Sequence, residues 1–274
     1  MLLAETTLSA AWMKPAVTIG CLAALWTWET IHPFLARPRG RIRHAAHNVA
    51  IAVLNTVVLA IIFAGATVGV ANWATHQRVG LLHIWELPAM LRLLLAILLL
   101  DAWLYVWHWA NHRLPLLWRF HRMHHADDQM DVTTATRFHL GEHLGSATLR
   151  LGLIPLLGIE AFHLLVYETM VVAMTMFHHA NISLGRWDAA LRWLIVTPDM
   201  HKIHHSHLPT ETNSNYSTVF SWWDRLARTF RMRDDCSTLQ FGLDEFRDKR
   251  WQTVSGMLRT PFIQPPRHED GRVG

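Results

Sequence analysis

The stretch 91–112, LRLLLAILLLDAWLYVWHWANH, joins a long apolar run to a pair of histidines at its C-terminal end. Its apolar part belongs to the segment 81–107, which is long enough to cross the ~30 Å hydrocarbon core of a bilayer as a helix. His108 and His112 are four residues apart and therefore share one face of that helix. The stretch predicts a membrane-spanning helix that carries two candidate metal ligands to one membrane surface.

Similar apolar segments flank this stretch. Residues 15–35 and 49–71 are mostly apolar and bordered by charge, and 51% of the 274 residues are hydrophobic. A fourth apolar region, 147–177, is interrupted by glycine and proline, residues that break or kink a helix. We therefore expect an all-α integral membrane helical bundle with three clear spans, a helical hairpin and a cytosolic histidine-rich helical cap.

Basic residues indicate the orientation of the bundle. Four arginines fill the short loop between the first two spans, at Arg37, Arg39, Arg41 and Arg43. The positive-inside rule assigns this loop, and hence the end of the third span, to the cytoplasm. The net charge of +4 is dispersed among apolar segments and does not form one basic stripe, so nucleic acid is not an expected partner.

Histidine gives the clearest chemical signal, with 20 copies in the chain. The pattern His-x-x-His-His occurs at 121–125 and again at 201–205. Positions three and four apart share a helical face, so each triplet is expected to aim its imidazoles in one direction. Eight ligands can then converge: His108, His112, His121, His124, His125, His201, His204 and His205. Their convergence requires the region 147–177 to cross the membrane an even number of times, as a hairpin does.

The donor set narrows the choice of metal. Imidazole suits iron, zinc, copper and nickel, whereas magnesium and calcium prefer oxygen. Eight to ten histidines exceed the needs of one ion and favour two. Zinc sites normally pair imidazole with a carboxylate or thiolate, so two irons are favoured, with zinc as the alternative. Cys21 and Cys236 lie far apart in the chain and imply neither a disulfide framework nor a thiolate site.

The motifs also occur in a familiar order. They are Asp101-x-x-x-Tyr105-x-x-His108-x-x-x-His112, Phe120-His121-x-x-His124-His125, Arg137-Phe138-His139 with Glu142, Phe177-x-His179-x-Asn181, Thr197-Pro198, His201-x-x-His204-His205, Asn215-Tyr216 and Trp223-Asp224-Arg225-Leu226. Over about 95–230 the chain resembles the fatty acid hydroxylase and sterol desaturase superfamily of integral-membrane di-iron oxygenases. The resemblance implies that two metal ions at the cytosolic membrane face use molecular oxygen to hydroxylate or desaturate a membrane lipid.

The resemblance extends the candidate site. It adds His139 and His179 to the ligands, although Leu140 stands where the family often has proline and a different local turn is expected there. Asp101, Tyr105, Glu142 and Asn181 are expected to support the ligands from behind, and Asp224 is a further candidate. An unpaired carboxylate at the bilayer centre costs ~2.5–3.5 kcal/mol. Asp101 should therefore bond a ligand imidazole or Tyr105, unless it lies hydrated at the interface.

The chain is expected to divide into N-terminal transmembrane helices (1–94), a histidine-box catalytic region (95–235) and a polar C-terminal tail (236–274) that becomes disordered from about Pro261. A His-Pro-Gly-Gly heme segment is not found, so electrons are expected from an external ferredoxin or b-type cytochrome. The expected location is the bacterial inner membrane, with the active site on the cytoplasmic face.

Two other functions fit the same histidines. A histidine-rich membrane protein could transport or handle metal, although transport calls for polar residues inside the spans and only Asp101 is a clear intramembrane candidate. A zinc-dependent lipid hydrolase would need neither oxygen nor a reductant.

Overall fold

The computed structural model describes residues 2–36 and 40–264, which form a helical bundle capped by shorter helices. The helices are α1 (Leu2–Ile31), α2 (Arg41–His76), α3 (Ala89–Arg113), α4 (Pro115–His125), α5 (Leu140–Leu157), α6 (Ala161–His179), α7 (Asp188–Leu191), α8 (Pro198–His204), α9 (Pro209–Thr212), α10 (Trp222–Leu226) and α11 (Val254–Arg259). Within those two ranges β pairing is limited to two isolated bridges. The predicted all-α fold is confirmed.

Three described helices are long and apolar enough to cross a membrane: α2 with the short turn after it (Arg41–His83), α3 and α6. The segments 49–71 and 81–107 were thus correctly predicted to contain spans, although α3 begins only at Ala89. The segment 15–35, expected to be a clear span, forms most of α1 but is not among the three. Polar residues such as Thr18, Thr27 and Glu29 lower the mean hydropathy of this segment.

The region 147–177 forms the predicted helical hairpin. Helix α5 starts near the histidines and leads away from them, and α6 returns to end at His179. Gly158 ends α5 in the left-handed conformation at φ +75°, which glycine adopts without the steric cost of a Cβ. Gly80 packs so closely on this turn that a Cβ there would lie 2.2 Å from the Gly158 nitrogen. The turn between α5 and α6 therefore packs tightly against the loop between α2 and α3.

Apolar side chains join the spans along their length. The largest buried cluster draws on α2, α3, α5 and α6, and includes Ala71, Leu100, Ile154, Leu164 and Tyr167. Helix α6 also packs along α1, and α5 along α2. This packing fixes the ends of the helices that carry the candidate ligands.

The arginine-rich loop differs from the expectation. Arg41 and Arg43 belong to the first turn of α2, because Gly40 at φ +88° ends the loop and starts the helix. Arg41 bonds the carboxylate of Glu29 and lies 3.5 Å from the Trp26 ring centroid. Arg37 and Arg39 lie outside the described residues.

The C-terminal segment folds back on the histidine-rich end. Phe246, Trp251 and Met257 are buried. The Arg122 guanidinium donates to the carbonyl of Thr260 at 2.5 Å and to that of Ile263. Within 261–264, Ile263 supplies one of the two carbonyls that pair with the buried Arg122. The expected disorder from about Pro261 stays a prediction. Residues 265–274 lie outside the described part.

Candidate metal centre

Nine histidines meet where α3, α4, α6 and α8 end or begin. A first group consists of His108, His112, His121, His125 and His204, and a second group consists of His124, His179, His201 and His205. Within each group one ring nitrogen per residue lies within 4.8 Å of all the others. The two groups together are called the histidine centre below. The nine residues include all eight predicted from the triplets and the His-x-x-x-His pair.

Each triplet contributes to both groups, and the expectation that it points in one direction is wrong. In α4, His121 and His125 join the first group and His124 joins the second; in α8, His201 and His205 join the second and His204 joins the first. Helix geometry gives the reason. Residues i and i+4 differ by about 40° around the axis, whereas i+3 and i+4 differ by about 100°. The adjacent histidines of each triplet therefore face different partners.

The imidazole nitrogens approach one another as ligands of a shared ion do. The Nε2 atom of His179 lies 3.1 Å from Nε2 of His124 and 3.0 Å from Nε2 of His201. In the first group, Nε2 of His125 lies 3.2 Å from Nε2 of His121. Two ligands bound at right angles, each about 2.1 Å from one ion, would lie about 3.0 Å apart. The spacing therefore fits metal coordination.

The opposite ring nitrogens have partners that fix the imidazoles. The Nδ1 atoms of His108, His179 and His204 lie 2.7, 2.7 and 2.6 Å from the carbonyl oxygens of Tyr216, Thr175 and Ser214. A carbonyl only accepts, so each Nδ1 must carry the proton and each Nε2 presents a lone pair to the centre.

Glu142, one of the expected supporting residues, lies behind the first group. Its Oε1 atom accepts from Nδ1 of His121 at 3.0 Å and from the amide of Asn111 at 3.1 Å. A carboxylate behind a ligand imidazole fixes its orientation and raises its basicity. Asn111 was not predicted, although it directly precedes a ligand.

Buried ring nitrogens without a hydrogen-bond partner indicate that the histidine centre can bind metal. Nε2 of His108 and of His204, and both ring nitrogens of His112 and His205, are buried without a hydrogen-bond partner in the described part of the chain. An unsatisfied buried polar atom costs about 1–3 kcal/mol, so several together indicate an absent partner that accepts lone pairs. A metal ion is such a partner.

Burial also keeps the candidate ligands in the form that metals bind. Desolvation, reinforced by neighbouring imidazoles, lowers the pKa of each ligand outside the spanning helices for which a shift is resolved, namely His124, His125, His201, His204 and His205. These rings are therefore neutral near pH 7. A neutral imidazole offers its lone pair to a cation without first releasing a proton.

His139 is the one predicted ligand that joins neither group. It precedes α5, where its Nδ1 accepts from the backbone amide of Gly141 at 2.9 Å, and its Nε2 lies 3.3 Å from the carbonyl oxygen of Leu258. The side chain is thus an N-cap that also contacts the C-terminal segment. Leu140 begins the helix at the position where a different turn was expected.

Two predicted supporting residues bond elsewhere. Asn181 uses its side chain to bond both backbone groups of Leu35 and its backbone amide to bond Glu29, so it holds the end of α1. Tyr105 shares a hydrogen bond of 2.8 Å with Thr229. Both residues stabilise the scaffold around the histidine centre without touching a ligand nitrogen through these bonds.

Asp101 has partners, as its burial requires, but not those expected. Its carboxylate accepts from the hydroxyl of Tyr167 at 3.0 Å, the backbone amide of Phe220 at 3.1 Å and the indole of Trp223 at 2.8 Å. It therefore ties α3 to α6, to α10 and to Phe220 just before α10. Asp224, the further candidate, accepts from the backbone amides of Tyr216 and Ser217 and so holds the loop whose carbonyl supports His108.

Aromatic side chains complete the walls of the centre. Phe138 stacks on His124 with ring centroids 4.2 Å apart, and Trp118 contacts His112 and His125. Neither contact was predicted from the sequence, although Phe138 belongs to the Arg137-Phe138-His139 motif. No periodic signal distinguishes such a tryptophan from the other 13 in the chain.

An apolar pocket of about 730 Å³ adjoins the histidine centre. Residues of both groups form one end, and its walls include Ile19, Leu59, Leu104, Val172 and Met176 from α1, α2, α3 and α6. The volume lies within the roughly 300–1,000 Å³ typical of small-molecule sites. A long apolar molecule can therefore reach the histidines from between the helices.

The sequence matches the family model described as fatty acid hydroxylase over residues 93–229, which is half of the chain. It is 29% identical over 191 residues to an ornithine lipid hydroxylase of Rhizobium tropici, covering 68% of this chain and 56% of the relative. It is 26% identical over 141 residues to an alkylglycerol monooxygenase of Danio rerio, covering 52% and 31%.

The human cholesterol 25-hydroxylase is 25% identical over 155 residues, covering 53% of this chain and 55% of the relative. The chain thus spans between about a third and just over half of the length of these relatives. No solved structure matches the chain.

Proposed function

The chain belongs to the fatty acid hydroxylase family, and we propose that it hydroxylates a membrane lipid with molecular oxygen at a pair of histidine-bound irons. The observation that carries the proposal is the meeting of nine buried imidazoles in two groups at one end of an apolar pocket. Hydroxylation is favoured over desaturation because the relatives are named hydroxylases and monooxygenases.

The two groups supply five and four nitrogen ligands. Iron accepts imidazole readily and, when bound, supplies the redox chemistry with oxygen that side chains alone cannot perform. Zinc binds imidazole too, but the redox activity in the names of the relatives supports iron.

The protein's own residues hold the ligand rings in place and fix their orientation. Carbonyl oxygens of Tyr216, Thr175 and Ser214 fix the tautomers of three ligands, and Glu142 fixes His121. Phe138 and Trp118 pack directly against ligand rings and keep water from them. Such a dry, fixed setting would limit side reactions with water.

The substrate is expected to enter the pocket from the bilayer, because the walls are apolar and come from the long helices of the bundle. The pocket then holds a C–H bond near the centre, so that orientation and proximity select the carbon that reacts.

Each hydroxylation also consumes two electrons, which we assign to an external ferredoxin or b-type cytochrome. The ends of α3 and α6 carry the ligands at one membrane face. We propose that this face is cytoplasmic, because Arg41 and Arg43 lie at the same end. The proposed membrane is the bacterial inner membrane.

The deciding experiment measures iron per chain and lipid oxidation in detergent-purified protein. About two irons per chain and oxygen-dependent hydroxylation of a lipid are expected, and His204→Ala should lose metal and activity. His207→Ala is the matched control, because His207 lies at the molecular surface with a ring nitrogen facing the Gln240 carbonyl. Activity that persists without oxygen and reductant would support the hydrolase, and metal uptake into vesicles without lipid oxidation would support a transporter.

A further inference from the structure

Three charged side chains meet between α1, α5 and α6, away from the histidine centre. Nζ of Lys14 lies 2.6 Å from one carboxylate oxygen of Glu168, and a guanidinium nitrogen of Arg150 lies 2.5 Å from the other. We call these three residues the charged trio. Two cations share one carboxylate, so the trio carries a net charge of +1.

The trio takes no part in the mechanism proposed for the histidine centre, and the pocket that Lys14 lines is mostly apolar. Glu168 lies in the middle of α6, a helix able to span a membrane. Ionisable groups at such positions are costly and usually mark a functional path or a binding site. Nε of Arg150 is buried without a hydrogen-bond partner in the described residues, so the trio retains unused donor capacity.

The pocket connects the trio to the histidine centre. Lys14 lines the pocket together with Thr18 on α1 and with His143 and Ser146 on α5. Ser146 and Arg150 are four residues apart and share one face of α5. A polar stripe thus runs through an otherwise apolar cavity, from Glu142 beside the centre towards Lys14.

The distance between the two ends suits a long aliphatic chain. Glu168 precedes the ligand His179 by eleven residues of α6, which corresponds to about 16 Å along the axis. Carbon–carbon bonds of about 1.5 Å advance an extended chain by roughly 1.3 Å each, so this span needs about a dozen carbons.

We propose that Lys14, positioned by Glu168, binds an anionic group on a long aliphatic chain, which makes the trio a determinant of substrate specificity. The ligand chemistry is a carboxylate or a phosphate ester on an alkyl chain. Because a cation in an apolar cavity strongly favours an anion over a neutral or cationic group, head-group charge should decide binding. The inference rests on the proposed function in taking the histidine centre as the place of reaction.

The first test needs no variant. The thermal unfolding midpoint of metal-loaded protein in dodecyl maltoside is measured with hexadecanoate, hexadecyl phosphate, hexadecanol and hexadecyltrimethylammonium, at equal mole fractions in the detergent. A ligand raises the midpoint in proportion to its affinity for the folded state. We expect hexadecanoate, hexadecyl phosphate or both to raise the midpoint. The compound that does so shows whether the site binds a carboxylate or a phosphate group. Equal stabilisation by hexadecanol or by the ammonium compound would overturn the proposal.

The second test changes Lys14. Lys14→Met should weaken binding of the anion at least about tenfold, as expected for losing a charge-assisted hydrogen bond. Lys14→Arg should retain binding within a few-fold. Arg92→Met is the matched control, because Arg92 forms a similar ion pair with Glu160 at 3.0 Å but does not line the pocket. Metal content is measured for every variant to verify its fold.

A trio that only holds helices together predicts a different result. Lys14→Met would then lower the ligand-free midpoint and leave the preference for anions unchanged, which would refute the proposal. Binding is measured without turnover, so the outcomes separate cleanly. If the protein binds anions but oxidises no lipid, the anion site stands and the proposed function fails. If it hydroxylates lipids without any preference for anions, the proposed function stands and the anion site fails.

Discussion

Replacing Glu142 by glutamine is expected to weaken metal binding in the first histidine group and to leave the second group intact. Glu142 is 7% exposed, and one of its oxygens accepts hydrogen bonds from both His121 and Asn111. Glutamine keeps the shape of the side chain but removes its negative charge. The amide oxygen can still accept from Nδ1 of His121, but the ring loses the negative charge that raises its basicity.

The size of the effect follows from these contacts. Removing a carboxylate behind a ligand histidine typically costs 10–100-fold in metal affinity, or about 1.4–2.7 kcal/mol. His121 belongs only to the first group, whose remaining ligands have other supports: His108 and His204, for example, bond backbone carbonyls. The loss should therefore stay at one of two ions.

The assay is a chelator competition followed by elemental analysis. At chelator concentrations that leave the unaltered protein fully loaded, Glu142→Gln should fall from about two metals per chain towards one. Glu160→Gln is the control, because this carboxylate lies at the far end of the hairpin and pairs with Arg92. An unchanged affinity in Glu142→Gln would refute the role assigned to this carboxylate, and loss of both metals would refute the independence of its effect.

Three further outcomes are expected. His139→Ala should keep its metal and lose about 0.5–2 kcal/mol of stability, the cost of an N-cap, as measured by thermal unfolding alongside metal analysis. Asp101→Asn should also keep its metal while losing about 1–3 kcal/mol, because three donors face its carboxylate. Lowering the pH from about 7.5 to about 5.5 should destabilise the metal-free protein, because the lowered pKa of buried ligands such as His204 and His205 leaves the unfolded chain with more bound protons. The loss should approach about 1.4 kcal/mol for each imidazole that stays neutral, and a midpoint that does not fall would contradict this assignment.

The sequence predicted the parts of the molecule that depend on local periodicity. Long apolar runs indicated α2 and α3, and the breakers within 147–177 indicated a hairpin. The spacing of His121, His124 and His125 indicated that their imidazoles lie close together, because residues three and four apart in a helix are neighbours in space. These inferences require no knowledge of which helices pack against each other.

The sequence could not predict contacts between distant segments. His139 matched a motif, yet the Gly141 amide and the Leu258 carbonyl hold its ring away from the centre. Asp101 shares a helical face with two ligands but bonds Tyr167 and Trp223, which come from other parts of the chain. Tertiary packing determines such partners, and the spacing of residues along the sequence does not reveal it.

The division of each His-x-x-His-His triplet between the two groups means that either ion alone would cross-link the same two helices. An ion in the first group would bind α4 through His121 and α8 through His204, and an ion in the second group would bind them through His124 and His201. A chain that keeps only one ion should therefore keep the relative placement of α4 and α8, because binding at either group holds both helices.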